Sequence, residues 1–146
     1  MLKKTILLIT SLLALSFIAC SNTNIQEIEV VSKPNISLQN TYWKAISLYD
    51  KDVKTLEKEA NINFNKNGTI HGILGCNRFF GNFKINKDNI KFEKLATTRM
   101  MCQDMQTENS FLKVLQNTQK YKIKGKTLNF FDDENNNIST FKAVYF

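Results

Sequence analysis

The chain has 146 residues, with 20 lysines and arginines against 13 aspartates and glutamates and a net charge of +7. This length suits one domain and excludes a large enzyme with a separate nucleotide-binding domain, and a hydrophobic content of 42% excludes a disordered chain. One histidine and three cysteines are too few for a zinc cluster with several such ligands, so no metal site is predicted.

Residues 1–19 have the pattern of a secretory signal peptide. Lys3 and Lys4 form a short positive region, and the mostly apolar run that follows is shorter than the roughly 20 residues that a membrane-spanning helix needs. The run ends in SFIAC, which resembles a bacterial lipobox. Cys20 is therefore predicted to carry palmitate-type acyl chains that anchor the protein in a membrane. The alternative is an ordinary signal peptide followed by an incidental cysteine.

Residues 20–37 are predicted to form a flexible tether after the lipidated cysteine. They carry serine, asparagine, one glutamine and Pro34, and few large apolar side chains. The folded domain is predicted to span residues 38–146. Ser21, and not an aspartate, follows Cys20, and by analogy with lipoprotein sorting this favours the outer membrane, facing the periplasm.

Short alternating apolar runs, separated by turn signals such as Asn67-Gly68, predict about eight strands. The predicted strands cover residues 41–50, 61–64, 69–74, 82–86, 90–95, 120–124, 127–131 and 138–146. Residues 52–60 are more polar and are predicted to form a loop or a single helical turn.

Residues 104–118 are predicted to form one amphipathic helix, and Asp104 is placed to cap its N-terminus. The residues that recur at helical spacing are Met105, Glu108, Phe111, Leu112 and Leu115. Together with the short antiparallel strands, this helix predicts a mainly β fold. The sheet is expected to be a small barrel or strongly curled, with the helix packed on it or plugging it.

Three short segments carry a family pattern. Residues 75–81 read GCNRFFG, with bracketing glycines that favour backbone conformations closed to other residues. Residues 97–102 read TTRMMC, and Leu38, Thr41 and Trp43 open the domain as L-x-x-T-x-W. Taken in chain order, the L-x-x-T-x-W, GCNRFFG and TTRMMC segments resemble the pattern of the META domain family, and the resemblance covers residues 38–146.

This resemblance implies a β-rich, barrel-like fold and a bacterial envelope protein linked to stress response, antibiotic tolerance or motility. It implies no catalytic activity and no cofactor. The predicted function is therefore a non-catalytic interaction or assembly module, monomeric, whose partner is an envelope protein. The alternative is a binder of a small apolar ligand or lipid in a lipocalin-like, phenylalanine-lined interior, and a thiol-based enzyme ranks third.

Cys76 and Cys102 remain once Cys20 is lipidated. In an exported domain two such cysteines favour one disulfide, and closing a loop of about 27 residues would stabilise the fold by roughly 3.5 kcal/mol. The alternative is two buried free thiols. As a nucleophile, Cys76 would need His71 as its base, but an odd offset of five places them on opposite faces of a strand, so no catalytic residue is predicted.

Arg78 and Arg99 are the only arginines, and each lies in one of the two cysteine-containing segments. A guanidinium binds carboxylates and phosphates in a planar, bidentate geometry. With Asn77 and Phe79, the two arginines are therefore candidates for contact with an anionic ligand or partner. The alternative is that they pair with acidic residues and fix the loops.

A run of alternating lysines is predicted to share one face of a strand, opposite Tyr121 and Ile123. These lysines are Lys120, Lys122, Lys124 and Lys126. The face is a candidate for contact with anionic lipid or lipopolysaccharide; the alternative is a solvated face, or an edge strand protected by charge. No nucleic-acid binding is predicted, because the basic residues do not follow the pattern of a known nucleic-acid module.

Overall fold

The computed structural model describes residues 36–54, 58–103 and 105–145. The predicted signal peptide, Cys20 and most of the predicted tether lie outside the described residues, and so do Asp104 and Phe146. Within the described ranges, no helix is both long enough and apolar enough to cross a membrane.

Nine strands and one helix make up the described part of the chain, which confirms the mainly β prediction. They are β1 (Tyr42–Leu48), β2 (Lys51–Asp52), β3 (Asn61–Phe64), β4 (Thr69–Ile73), β5 (Arg78–Asn86), β6 (Asn89–Thr97), α1 (Gln106–Asn117), β7 (Lys120–Lys124), β8 (Thr127–Phe131) and β9 (Asn137–Val144). The strand predicted over residues 41–50 ends earlier, because the chain turns through Tyr49 and Asp50 at φ of 48° and 58° and adds the short strand β2.

The strands form a single antiparallel sheet that curls into a ring. The order is β2-β1-β3-β4-β5-β6-β7-β8-β9, and β9 pairs back onto β1. One edge of β1 is shared, with β3 along its first half and β2 along its last two residues, while its other edge carries β9. The inner face of this curled sheet holds the core.

The contact between β6 and β7, here called the β6–β7 seam, is the thinnest join in the ring. Its one register pair is Asn89 with Lys120, whereas β5 and β6 share seven pairs. Two main-chain hydrogen bonds flank that pair: the Ile90 N–H donates to the Gln119 carbonyl and the Tyr121 N–H to the Asp88 carbonyl, both at 2.9 Å. The hydrogen bonds across the seam are therefore few, and these two are between main-chain atoms.

Phenylalanine rings in contact with one another run through the middle of the ring. In order of contact they are Phe83, Phe64, Phe130, Phe141, Phe111 and Phe79. Neighbouring centroids lie 5.1 to 6.4 Å apart, within the range of favourable aromatic pairs. Because Phe111 belongs to α1, the helix is packed onto the same core as the strands.

The helix α1 has a buried face made of Glu108, Phe111, Val114 and Leu115. Its bounds lie within the predicted 104–118. No side chain caps its N-terminus at Met105, and at its C-terminus the Thr118 hydroxyl donates to the Val114 carbonyl at 2.6 Å. The predicted cap, Asp104, lies outside the described residues.

The L-x-x-T-x-W segment fixes the residues that lead into β1. Trp43 is fully buried, and its indole Nε1–H donates to the Leu38 carbonyl at 2.9 Å. The Thr41 hydroxyl donates to the Ser37 carbonyl at 2.7 Å. These bonds hold the residues just before β1 against the core, where Leu38 is itself buried.

Candidate functional site

Cys76 and Cys102 form a disulfide, as predicted, with their Cα atoms 6.4 Å apart. The bond joins the loop between β4 and β5 to the segment that leads from β6 into α1. Cys76 therefore has no thiol to act as a nucleophile. His71 is exposed on β4, where its Nδ1 lies 3.3 Å from Nδ2 of Asn65.

Beside the disulfide, the Asn77 side chain is only 1% exposed and makes hydrogen bonds through both of its polar atoms. Its Oδ1 accepts from the Met100 N–H at 2.7 Å and from the Thr98 hydroxyl at 2.8 Å. Its Nδ2 donates to the Met100 carbonyl at 2.9 Å. This one amide therefore fixes the main chain on the far side of the disulfide.

The same asparagine also donates hydrogen bonds to a buried carboxylate, that of Glu108. Nδ2 of Asn77 lies 3.1 and 3.0 Å from the two carboxylate oxygens of Glu108, and the Asn77 N–H donates to Oε2 at 3.0 Å. Glu108 is 5% exposed, and a buried carboxylate is tolerated only when it is hydrogen-bonded. This pair ties the β4–β5 loop to α1.

Residues 97–102, here called the stapled segment, are attached to the loop at alternate positions. Thr98 binds through its hydroxyl, Met100 through its main chain, and Cys102 through the disulfide. The residues between these attachments face outward: Arg99 is exposed, and Met101 is 98% exposed. Two large side chains are thus displayed on a backbone fixed from both ends.

The outer face of β5 continues this surface. The Arg78 N–H donates to the Thr98 hydroxyl at 3.1 Å, and the Thr98 N–H donates to the Arg78 carbonyl at 3.0 Å. Two positions further along β5, Phe80 is 61% exposed. The exposed side chains of this surface, here called the stapled face, are Arg78, Phe80, Arg99, Met100 and Met101.

A shallow groove runs between the stapled segment and the start of α1, with a volume of ≈ 400 Å³. Its lining includes Arg99, Met100, Met101 and Met105. The buried Asn77–Glu108 pair also lines it. The groove is open, and it is bordered by apolar thioethers and one guanidinium.

Two of the four predicted contact residues do not lie on this face. Asn77 and Phe79 are 1% and 2% exposed, and Phe79 packs on Phe111 at 5.7 Å, so neither side chain is free to touch a partner. The reason is that β5 begins at Arg78, and strand alternation then turns residue 79 inward and Phe80 outward. The strand was predicted to begin at residue 82, so the outward position of Phe80 was not predicted.

The two arginines make no ion pair with any described residue. The ion pairs found in the described ranges are Lys44–Glu59 and Lys84–Glu93. The alternative prediction, that Arg78 and Arg99 fix loops by pairing with acids, therefore has no support in these ranges. The loops are instead fixed by the hydrogen bonds of Asn77 and by the disulfide.

Two glycines of the GCNRFFG segment have separate roles. Gly75 has φ of 112°, in the region that favours glycine, and it turns the chain into Cys76. A Cβ at Gly81 would lie 2.9 Å from Leu95 Cδ2 and 3.0 Å from the Glu93 carbonyl oxygen, where the β5–β6 register shifts. The first glycine is needed for conformation and the second for close approach.

Of the four alternating lysines, three share one face of a strand. Lys120, Lys122 and Lys124 are exposed on β7, which ends at Lys124. Lys126 lies beyond the end of β7, and its Nζ is 5.3 Å from the centroid of the Tyr145 ring. Tyr121 and Ile123 are half-buried on the other face of β7, as the alternation predicts.

Two ionisable groups outside these surfaces have shifted pKa values. Burial and the neighbouring Glu59 carboxylate raise the pKa of Tyr42 to about 12. A hydrogen bond from Lys84 lowers the pKa of Glu93 below its usual range. In the part of the chain that the structure describes, no group of three or more histidine, cysteine, aspartate or glutamate side chains could hold a metal ion.

Three solved structures share this architecture. A Burkholderia xenovorans protein solved by NMR has a TM-score of 0.60 at 20% identity, covering 75% of this chain and 85% of that chain. A second NMR structure has a TM-score of 0.60 at 24% identity, covering 73% and 94%. A crystal structure of a duf4847 family protein from Bacteroides vulgatus has a TM-score of 0.53 at 14% identity, covering 72% and 93%. At these identities the likeness concerns the fold alone.

No curated protein matches the sequence. The META domain family matches residues 36–145, which include all three motif segments. The L-x-x-T-x-W segment holds the residues before β1 against the core, and the other two segments meet at the disulfide. The chain belongs to the META domain family.

Proposed function

We propose that this META domain is a non-catalytic protein-interaction module of the bacterial cell envelope, which docks through its stapled face. The observation that carries the proposal is the exposure of Arg99 and Met101 on a segment that a disulfide and a buried asparagine hold rigid.

Rigidity of this kind favours binding. A flexible segment loses conformational entropy when a partner orders it, whereas a segment that is already fixed loses little. Thr98 and Met100 are attached through hydrogen bonds of 2.7 to 2.9 Å, so the backbone between Arg99 and Met101 is set before any partner arrives. Only side-chain rotamers remain to be ordered on binding.

The composition of the face indicates the chemistry of the partner. Phe80, Met100 and Met101 expose apolar surface at 61%, 49% and 98%, and methionine, phenylalanine and arginine are enriched in protein interfaces. Arg78 and Arg99 bring two positive charges that no described carboxylate neutralises. A protein surface with acidic residues around an apolar centre complements this face.

The envelope location rests on two independent features. A disulfide persists in oxidising compartments and is rare in the cytosol, so Cys76–Cys102 supports export. The predicted signal peptide and the lipidation of Cys20 would place the domain at a membrane surface, with the outer membrane favoured by Ser21. A role in stress response would then be exercised by binding an envelope partner.

The phenylalanine chain favours this function over the binding of an apolar ligand inside the sheet. From Phe64 through Phe130 to Phe141, ring centroids are 6.4 and 5.2 Å apart, and all three residues are at most 1% exposed. A lipocalin-like ligand would have to displace these rings. A surface for docking needs no such rearrangement.

The experiment is site-specific photo-crosslinking of the full-length chain in bacterial cells. A photoreactive residue replaces Met101, and a matched one replaces Lys66, an exposed residue in the turn between β3 and β4. We expect a discrete crosslinked species from position 101 and none from position 66. Arg99→Glu should abolish that species, whereas Lys91→Glu, the same charge change on an exposed β6 residue, should leave it intact.

The proposal requires the loss to occur without unfolding. Thermal unfolding of the purified Arg99→Glu variant should match that of the wild-type protein, because Arg99 is exposed and forms no ion pair with a described residue. Equal crosslinking from positions 66 and 101, or a crosslink at 101 that survives Arg99→Glu, would show that the stapled face is not the docking surface.

A further inference from the structure

A second surface is distinguished by its charge. Its lysines are exposed on the outer face of the sheet: Lys120, Lys122 and Lys124 on β7 and Lys142 on β9. We call this set the lysine face. It contains neither an arginine nor an aromatic anchor like Phe80, and so its chemistry differs from that of the stapled face.

Strand register brings these lysines together across three strands. Lys124 is opposite Thr127 of β8, which is opposite Lys142 of β9. In the next row Lys122 is opposite Asn129, which is opposite Thr140. The sequences of β7, β8 and β9 contain no aspartate or glutamate, so nothing within these strands offsets the positive charge.

One lysine of the face stands in an unfavourable position. Lys142 is the register partner of Lys44 on β1, and like charges directly opposite each other destabilise a sheet. Lys44 is paired with Glu59, but Lys142 forms no ion pair within the described ranges. An external anion would relieve this repulsion.

Protection of an edge strand explains only part of the pattern. Because β7 meets β6 only at the β6–β7 seam, most of its outer edge is unpaired, and lysines discourage another strand from adding there. This reasoning does not reach Lys142, since β9 is paired with β8 on one side and β1 on the other. The positive charge continues where no edge needs protection.

We propose that the lysine face binds the surface of an anionic phospholipid bilayer. Alternate residues of a strand are about 6.6 Å apart, and β9 lies about 9.6 Å from β7, so the charges are spread over a surface and do not converge on one point. Lysine ammonium groups are flexible point charges, which suit mobile phosphate headgroups better than the planar geometry of a carboxylate.

The proposal is independent of the stapled face, because it uses other residues on other strands. Each lysine near an anionic bilayer strengthens binding by about five-fold. The three lysines of β7 together should therefore contribute on the order of 100-fold. Binding should weaken as salt is added, since the interaction is electrostatic.

The experiment measures sedimentation of residues 36–146 with vesicles. These residues contain one continuous buried core of their own, so this part of the chain is expected to fold without the preceding residues. The vesicles contain phosphatidylcholine with increasing fractions of phosphatidylglycerol. We expect bound protein to rise with the phosphatidylglycerol fraction, and K120Q/K122Q/K124Q to lower the partition coefficient by at least ten-fold.

The matched control is K66Q/K91Q/K113Q, which removes the same charge from exposed residues on three other elements. It should lower binding by less than three-fold. Equal losses in the two triple variants would overturn the proposal in favour of a general effect of net charge. Binding that does not depend on the phosphatidylglycerol fraction would overturn the proposal outright. So would a wild-type protein that binds poly-glutamate but not vesicles, with the poly-glutamate binding lost in the β7 variant; that result would identify an acidic protein as the occupant.

Discussion

The corner around the disulfide and the β6–β7 seam lie on the same ring but are held by different kinds of interaction. At the corner, the disulfide and five side-chain contacts of Asn77 join a loop, the stapled segment and α1. At the seam, one register pair and two flanking main-chain bonds close the sheet. The corner is fixed by particular side chains, and the seam by the backbone.

This difference explains where the family motifs fall. A side-chain network works only with the right residue at each position, so it leaves a pattern such as GCNRFFG in the sequence. Main-chain pairing accepts almost any residue and leaves none. The motif segments therefore mark the part of the molecule whose geometry is most tightly specified, and the stapled face that we propose for docking lies on that part.

The largest expected effect comes from Asn77→Ala at the corner. The change removes hydrogen bonds to Thr98, Met100 and Glu108 and leaves the main-chain N–H of residue 77 as the remaining donor to the buried carboxylate among the described residues. Each buried polar group left without its partner costs about 1 to 3 kcal/mol, so the loss of bonds to three residues should cost about 4 kcal/mol in total. The measurement is the free energy of unfolding in urea.

Asn82→Ala is the matched control on the same strand. Asn82 is half-buried, pairs with Thr69 and Glu93 in register, and makes no side-chain hydrogen bond with the described residues. Its replacement should cost less than about 1 kcal/mol. Similar costs at positions 77 and 82 would show that the buried network does not hold the corner.

The next effect is that of the disulfide itself. Cys76→Ala/Cys102→Ala opens a loop closed by residues 26 positions apart, and the chain-entropy model gives a loss of roughly 3.5 kcal/mol. Because the Asn77 bonds remain, the variant should still fold. Urea unfolding measures the loss, and mass spectrometry of the wild-type protein after alkylation should find no free thiol at either position; an unchanged urea midpoint would contradict the prediction.

The fold class was predictable because period-two alternation records which face of a strand is buried. The hairpin that joins β7 and β8 has its predicted bounds, since Gly125 takes φ of 58° and apolar residues alternate on both sides of it. The strand β5 was predicted four residues too short. Its first residues, Arg78 to Gly81, belong to a motif with two glycines, and those glycines hid the alternation.

The site was predictable only in part. The adjacency of the two cysteine segments followed from the disulfide, but the partner of Asn77 did not. Glu108 lies 31 residues away, and only its position among apolar residues at helical spacing hinted that it is buried. The closing of the ring at the β6–β7 seam left no signal, because it depends on where main-chain atoms meet and not on side-chain type.

Hydrogen exchange should reveal the contrast between corner and seam without any mutation. The seam amides of Ile90 and Tyr121 each depend on a bond across a short join, whereas the Met100 amide is bonded to a buried side chain beside a disulfide. Local opening is easier where fewer interactions must break together. We expect the seam amides to exchange at least about ten-fold faster than Met100, as measured by NMR.

Disulfide removal then tests whether the two regions are coupled. In the double alanine variant, exchange at Met100 should speed up by more than exchange at Ile90 or Tyr121, because only Met100 lies beside the broken link. If all three amides accelerated equally, the ring would open as a single unit. The corner and the seam would then not be separate regions of stability.

The smallest effect concerns Tyr42, on the strand β1 that is paired along both edges and lies apart from the seam. Its pKa of about 12 in the folded chain exceeds the value of about 10 in the unfolded chain, because burial and Glu59 disfavour the phenolate. Stability from the protonated phenol is thus complete below pH 10 and is lost as the pH rises from 10 to 12. Solvent screening of this half-exposed group limits the loss to about 1 kcal/mol.

The measurement compares urea unfolding of the wild-type protein and Tyr42→Phe at several pH values from 9 to 11.5. Lysines also titrate in this range, but they do so in both proteins, so the difference between the two curves isolates Tyr42. We expect wild-type stability to fall more steeply than that of the variant above pH 10. Parallel curves would mean that neither burial nor Glu59 raises the pKa of Tyr42. Because β1 is paired along both edges, Tyr42→Phe should leave the ratio of the Met100 and Ile90 exchange rates unchanged. A changed ratio would mean that β1 is coupled to the corner or to the seam.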